Sequence, residues 1–140
     1  MKRVMLIGAT GAGKRSLIRA LSGESFTSSN AMAVEFCGRF VNTPGAFLEN
    51  RRFYHPLITT AADCDIVLML QDAGSASSLF PPQFASTLNK AVIGIISKTD
   101  LETANLARAE RFLRLAGAKT IVPISLKDDT SLETLQSMLV

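Results

Sequence analysis

The chain has 140 residues, 47% of them hydrophobic and 19% charged, and a formal net charge of +3. That is the length of one domain, so residues 1–140 are expected to form a single unit, too apolar for a disordered polymer. Fifteen Lys and Arg against twelve Asp and Glu, with one Tyr and no Trp, exclude a nucleic-acid binder built on a basic face with stacking platforms. No apolar run reaches membrane-spanning length. Met1-Lys2-Arg3 resembles the start of a leader, but the apolar stretch behind it ends at Gly8, too soon for a signal core. A cytoplasmic setting without nucleic-acid or membrane partners is therefore expected. The two cysteines, Cys37 and Cys64, lack metal-ligand spacing and read as reduced, partly buried thiols.

Val4 to Ile7 reads as a buried strand. Leu17, Ile18 and Leu21 then recur at helical spacing up to Gly23. Residues 24–33 read as a loop. Val34 to Phe36 and Gly38 to Val41 form a hairpin-like strand pair, and Asn42-Thr43-Pro44-Gly45 a turn. Phe53 to Ala62 predicts a helix, Ile66 to Leu70 a buried strand, Gln71 to Pro82 a loop, and Val92 to Ile96 another buried strand. Leu106, Ala109, Phe112, Leu113 and Ala116 line one face of a helix stopped by Gly117, with Glu110 and Arg114 paired on its outer face. Ile121 to Ile124 is a strand that Pro123 places at a sheet edge. Thr130 and Glu133 form a capping box before Leu132, Leu135 and Leu139. Apolar strands alternating with amphipathic helices predict an α/β fold: a mostly parallel sheet with helices on both faces. Ligands in such folds bind at the carboxyl ends of the strands.

The loop after the first strand reads Gly8-Ala9-Thr10-Gly11-Ala12-Gly13-Lys14. Glycines at this spacing, between a strand and a helix, let backbone amides turn toward phosphate oxygens. The helix adds its positive end, and Lys14 reaches the outer phosphates. A second loop, Ser97-Lys98-Thr99-Asp100, follows a buried strand. The Asp100 carboxylate can accept two hydrogen bonds from the N1 and N2 donors of guanine, a pair that adenine lacks, while the Lys98 stem covers the base. A third, Ile124-Ser125-Leu126-Lys127, can offer a backbone amide to the base carbonyl. Asn42-Thr43-Pro44-Gly45 stands where GTPases carry Asp-x-x-Gly beside the terminal phosphate. His55, the one histidine, has no nucleophile or base partner at catalytic spacing, and no residue is assigned a catalytic role. Arg51 and Arg52 read as a solvated edge; Met69, Phe80 and Phe84 read as core.

Together these loops resemble the Ras-like P-loop GTPases. Met1-Lys2-Arg3, the glycine loop, Ala33-Val34-Glu35, Thr43-Pro44-Gly45, Leu57-Ile58-Thr59-Thr60 and Ser97-Lys98-Thr99-Asp100 are similar to the EutP/PduV family of ethanolamine and propanediol utilisation. The resemblance implies a three-layer P-loop NTPase fold with a Ras-like sheet. It also implies a place beside bacterial microcompartments, with their shell or enzyme proteins as partners.

The departures from the family pattern converge on magnesium. Arg15 stands where Ser or Thr is wanted after Lys14, and Ser16 comes one place late. Ala31 occupies a switch-loop position that would carry Thr, Asn42 replaces Asp, and Ala46 replaces the side chain that often orients attacking water. No metal ligand is assigned, and hydrolysis is expected to be slow or lost. Arg15 can stand in for the cation, project into solvent or make a structural ion pair.

The expected reading is a guanine-nucleotide (GTP or GDP) holder with weak hydrolysis. Gly8, Gly11, Ala12, Gly13, Lys14, Arg15 and Ser16 serve the phosphates, Asn42 and Gly45 face the terminal one, and Ser97, Lys98, Asp100, Ser125 and Leu126 serve the base. Two alternatives stand beside it: a pseudo-GTPase scaffold with little nucleotide affinity, and an ATP-using small-molecule kinase. Asp100 and the absence of an evident second substrate site in so short a chain argue against the last.

Overall fold

The computed structural model describes residues 2–23 and 34–139. The loop expected at 24–33, with the switch-loop position Ala31, lies outside the described residues.

All five residues of β1 (Val4–Gly8) are buried. β1 pairs in parallel with β3 (Phe40–Asn42) on one side and β4 (Ile66–Asp72) on the other. β4 pairs in parallel with β5 (Ala91–Ser97), and β5 with β6 (Thr120–Pro123). β2 (Glu35–Cys37) runs antiparallel to β3 at the far edge, giving a six-stranded sheet of order β2-β3-β1-β4-β5-β6. The chain moves outward from β1 to β3, then returns to β4 on the opposite side. That reversal is a topological switch point, and the glycine loop leaves β1 at it.

Alternate side chains of the inner strands go to opposite faces. Val4, Leu6, Ile66, Leu68 and Ile95 pack with Leu17 and Ile18 of α1 (Lys14–Ser22) and Leu135 of α6 (Asp129–Met138). Met5, Ile7, Val67 and Met69 pack with Leu57 of α3 (Tyr54–Ala62), Phe84 of α4 (Phe84–Leu88) and Leu113 of α5 (Leu106–Leu115). Helices on both faces of a mostly parallel sheet make the expected α/β fold, consistent with a P-loop NTPase-like architecture. Both cysteines are buried. Met69, Phe80 and Phe84 belong to the core. Pro123 ends the edge strand β6 as expected. Among the described residues no helix is long and apolar enough to cross a membrane.

Several boundaries differ from the sequence reading. Asn42 to Gly45 is not a free turn. Asn42 ends β3, and Gly45 opens α2 (Gly45–Glu49). Thr43 Oγ1 donates to Leu6 O at 2.7 Å, and Pro44, with no amide to satisfy, introduces the helix. The expected 53–62 helix is preceded by a 3₁₀ turn, Arg51–Phe53, capped by the Asn50 side chain accepting from the Arg52 amide. β4 runs on through Gln71 and Asp72, so the following loop begins later than read. Thr130 is not the cap of α6: the Asp128 carboxylate accepts from the Thr130 amide and takes that role. Leu106 begins α5 but is 42% exposed, so the buried face is carried by Ala109 and Leu113. α4 has no sequence forecast. It is bounded by Gln83 and Asn89, both with left-handed backbone.

Leu68 is fully buried on the central strand β4. Leu68→Ala is expected to cost about 2–5 kcal/mol, read as a lowered urea midpoint at unchanged slope. An unmoved midpoint would contradict this packing.

Candidate functional site

The glycine loop, residues 8–14, joins β1 to α1. Gly13 caps α1 with a φ of 101° and, as a glycine, offers no capping side chain to the first-turn amides. A left-handed residue lets the chain enter the helix at once, and a helix N-terminus of this kind can hold an anion. Lys14 is buried, and its Nζ donates to Gly8 O at 2.7 Å and Ala9 O at 3.0 Å. Burial lowers its pKa to about 8, against a smaller opposing effect from the Glu49 carboxylate. A cation held this way gives up little when a phosphate arrives to replace the carbonyls.

The loop after β5 is braced onto the glycine loop. Ser97 Oγ donates to Ala12 O at 2.8 Å. Lys98 Nζ donates to Gly11 O and pairs with Asp72 Oδ2 at 3.4 Å. Its stem lies 4.0 Å from where a Cβ on Gly13 would stand. Lys98 has a φ of 59°, a strained state for a residue with a side chain, of order 1–3 kcal/mol, of the kind that clusters at functional sites. Thr99 Oγ1 donates to Ile124 O at 3.2 Å, tying in the loop after β6. There Ser125 Oγ accepts from the Lys127 amide, and Lys127 Nζ lies 3.4 Å from Asp100 Oδ2. Asp100's own backbone amide, then Lys127 and Ser125, hold its carboxyl below the usual carboxylate range, so it is an ionised acceptor at neutral pH.

Between these loops lies a cavity of about 360 Å³, walled by Ala12, Gly13 and Ser16 on one side and by Lys98, Asp100 and Leu126 on the other. That falls within the usual size of small-ligand sites, about 300–1,000 Å³. The structure thus brings together Gly13, Ser16, Ser97, Lys98, Asp100 and Leu126, and places Ser125 beside them. Leu126 is 47% exposed and forms the rim.

Arg15 turns away from this cavity's wall to the sheet edge. Its guanidinium pairs with Glu35 Oε2 at 2.9 Å. Glu35 Oε1 accepts from Asn42 Nδ2 at 3.3 Å. Of the three openings the sequence left for Arg15, the ion pair is seen here. Asn42 is 5% exposed, and its Oδ1 has no hydrogen-bond partner among the described residues. The set does not fit magnesium. Among the described residues a guanidinium occupies the hydroxyl position, the Glu35 carboxylate is engaged by Arg15 and Asn42, and a neutral amide stands for the Asp.

Gly45 lies hard against the glycine loop: a Cβ there would fall 2.3 Å from the Thr10 amide nitrogen. Four residues on, Glu49 Oε2 accepts from that amide at 3.2 Å, and Oε1 from Thr10 Oγ1 at 3.2 Å. Sequence reasoning passed over Thr10, Glu49, Glu35, Asp72 and Lys127. Glu35 sat within the quoted Ala33-Val34-Glu35 and Lys127 beside Leu126. Glu49 carried no signal, because residues 46–49 were assigned no element and only Gly45 of their helix fell in the expected turn. A second cavity of about 210 Å³ adjoins the other flank of the loop, between Thr10, Leu48, Asp72, Ser75 and Phe80. A further pocket beside the first cavity is thus present despite the short chain.

Lys14 makes stability pH-dependent with a defined sign. Its pKa is about 8 in the folded chain against 10.5 when unfolded. Between those values the unfolded chain binds more protons, so stability rises with pH through that window. Urea titrations of the native chain across it should show that rise, and Lys14→Met should lack it. Parallel curves would contradict the buried, desolvated placement of the ammonium.

Three similar proteins bear on this geometry. The propanediol utilization protein PduV of Citrobacter freundii is 34% identical over 134 residues, covering 95% of this chain and 89% of its own length. The probable acetate kinase EutP of Escherichia coli (strain K12) is 35% identical over 119 residues, 84% of this chain and 75% of its own. Its namesake in Salmonella typhimurium is 36% identical over 115 residues, 81% and 72%. The family description "Ethanolamine utilisation - propanediol utilisation" matches residues 1–140, and the chain belongs to that PduV-EutP family.

Proposed function

We propose that this chain binds a guanine nucleotide, with slow or absent hydrolysis, and acts as a regulatory or assembly factor in a bacterial microcompartment pathway for ethanolamine or propanediol. The observation that carries the nucleotide reading is the convergence of the Asp100 loop and the glycine loop on one cavity. The base sits between the Lys98 stem and Leu126, with its N1 and N2 donors on Asp100. Gly8, Gly11, Ala12, Gly13, Lys14 and Ser16 serve the phosphates, and Gly45 bounds their outer end. Without a magnesium ligand set, charge on the phosphates falls to Lys14 and the first-turn amides. Arg15 acts through Glu35 and Asn42, as a fixed internal cation at the sheet edge. The microcompartment setting rests on family membership alone, and shell or enzyme proteins are the partners it suggests.

A second reading, phosphoryl transfer from ATP to a small acceptor, is favoured by one observation, the 210 Å³ cavity on the loop's other flank. The probable acetate kinase relatives carry a name of that kind. The cavity's Asp72 and serine hydroxyls suit a neutral hydroxyl better than an anionic carboxylate. A third, the pseudo-GTPase scaffold, draws on the lost magnesium ligands.

Titration calorimetry with GDP, GTP and ATP, in magnesium and in EDTA, separates the three. The expected result is guanine preference of about a hundredfold or more, the scale on which a hydrogen-bonding pocket rejects an analogue, and little response to EDTA. Asp100→Ala should weaken GDP by about tenfold or more and leave ATP unchanged. Tighter ATP than GTP, with acetyl phosphate formed from acetate and trapped as its hydroxamate, would move the assignment to the kinase. No binding of any nucleotide would move it to the scaffold.

A further inference from the structure

Glu49 belongs to none of the sequence motifs, yet it makes a side-chain contact to the glycine loop from outside it. The contact is built by α2. Gly45 presses on Thr10 at the start of that helix, at a distance no Cβ would allow. The next turn then carries Glu49 back over the loop. Both carboxylate oxygens are used, one on the Thr10 amide and one on the Thr10 hydroxyl, at 3.2 Å each. Glu49 is exposed to solvent, so burial does not force this geometry. The side chain is held by the loop donors and by attraction to Lys14.

The position along the loop gives the contact its meaning. The cavity that contains Asp100 takes in Ala12, Gly13 and Ser16 but not Thr10. Thr10 lies on the opposite flank, beside Leu48 and Asp72. A nucleotide whose base meets Asp100 runs its phosphates past the first turn of α1 toward Lys14 and Thr10. The innermost phosphates run along the first turn of α1, away from the Glu49 contact. The outermost meets a donor already engaged by an anion of the chain itself.

We propose that Glu49 is a specificity-determining residue: its carboxylate occupies the outer-phosphate end of the glycine loop, so that a nucleoside diphosphate enters directly and a triphosphate must first displace Glu49. The proposal deepens the nucleotide reading above and rests on it. Two costs fall on the triphosphate alone. The Thr10 hydrogen bonds must break, and two anions must share one cation if Glu49 stays close. α2 is short and begins at a glycine, so displacement of its last residue is a local movement.

The test measures GDP and GTP affinity for the full chain, Glu49→Gln and Glu49→Ala, by calorimetry in EDTA. Circular dichroism confirms that each variant is folded, as expected for an exposed position. In Glu49→Ala the ratio of GTP to GDP dissociation constants should fall by about tenfold, the net worth of one charge-assisted hydrogen bond. GDP affinity itself should hold, and Glu49→Gln, which keeps an acceptor but no charge, should fall between. An unchanged ratio in both variants, with the native chain binding both nucleotides, would overturn the proposal and leave the nucleotide reading standing. Equal weakening of GDP and GTP would also overturn it, by making Glu49 a structural brace. A native chain and variants that bind neither nucleotide would end both.

Discussion

Parallel strands buried on both faces must be joined by chain that crosses back over the sheet, so every inner strand ends on the same side of the molecule. Here that constraint gathers the ends of β1, β4, β5 and β6 around one point. The donors and acceptors left at those ends cannot remain unsatisfied beside a dry core. They are spent on each other across loops: Ser97 on Ala12, Thr99 on Ile124, Thr43 on Leu6. The site is therefore a by-product of how the sheet closes its ends. The cavity between α1 and the Asp100 loop persists because the walls are braced independently of any ligand. Substitution at Ser97 would thus act on both loops together.

The same edge carries most of the molecule's unusual charge placement. Burial lowers the proton affinity of Lys14, and its near partners are carbonyl oxygens, so no strong ion pair seals it into the loop. Arg15 is different. It is tied to Glu35, and Glu35 in turn to Asn42, so β2, β3 and α1 are linked through one carboxylate. A permanent guanidinium thus ties these elements together through side chains of the chain itself.

Much of the fold was legible because buried parallel strands announce themselves as unbroken apolar runs, and β1, β4 and β5 do so. Helices with strong amphipathic spacing, α1 and α5, were equally plain. What escaped notice was short or bounded by residues in unusual backbone states. α4 is five residues long between two left-handed caps, and α2 is five residues beginning at Pro44-Gly45, a pair that locally spells a turn. Of the site, the glycine loop and the Asp100 loop were readable because their chemistry sits within a few consecutive residues. Glu35, Asp72 and Glu49 were not, because each reaches its partner across the sheet edge, and no local spacing encodes that distance.

α2 went unread, while the reading of Ala46 as lacking a water-orienting side chain is left as it was. With residues 42–45 taken as a turn, the position after Gly45 was weighed alone and found empty of useful chemistry. Once α2 is a helix, Ala46 and Glu49 lie three residues apart and share a face. A carboxylate one turn later can reach what a side chain at the first position would have approached. What it reaches is the loop's own donor, at hydrogen-bond distance from both oxygens. A group placed to activate water needs room between itself and the phosphate, and a group placed on the loop amide leaves none. The geometry thus separates two roles that the sequence pattern alone would merge: on the nucleotide reading proposed above, this carboxylate competes with the outer phosphate for the loop and does not stand behind it.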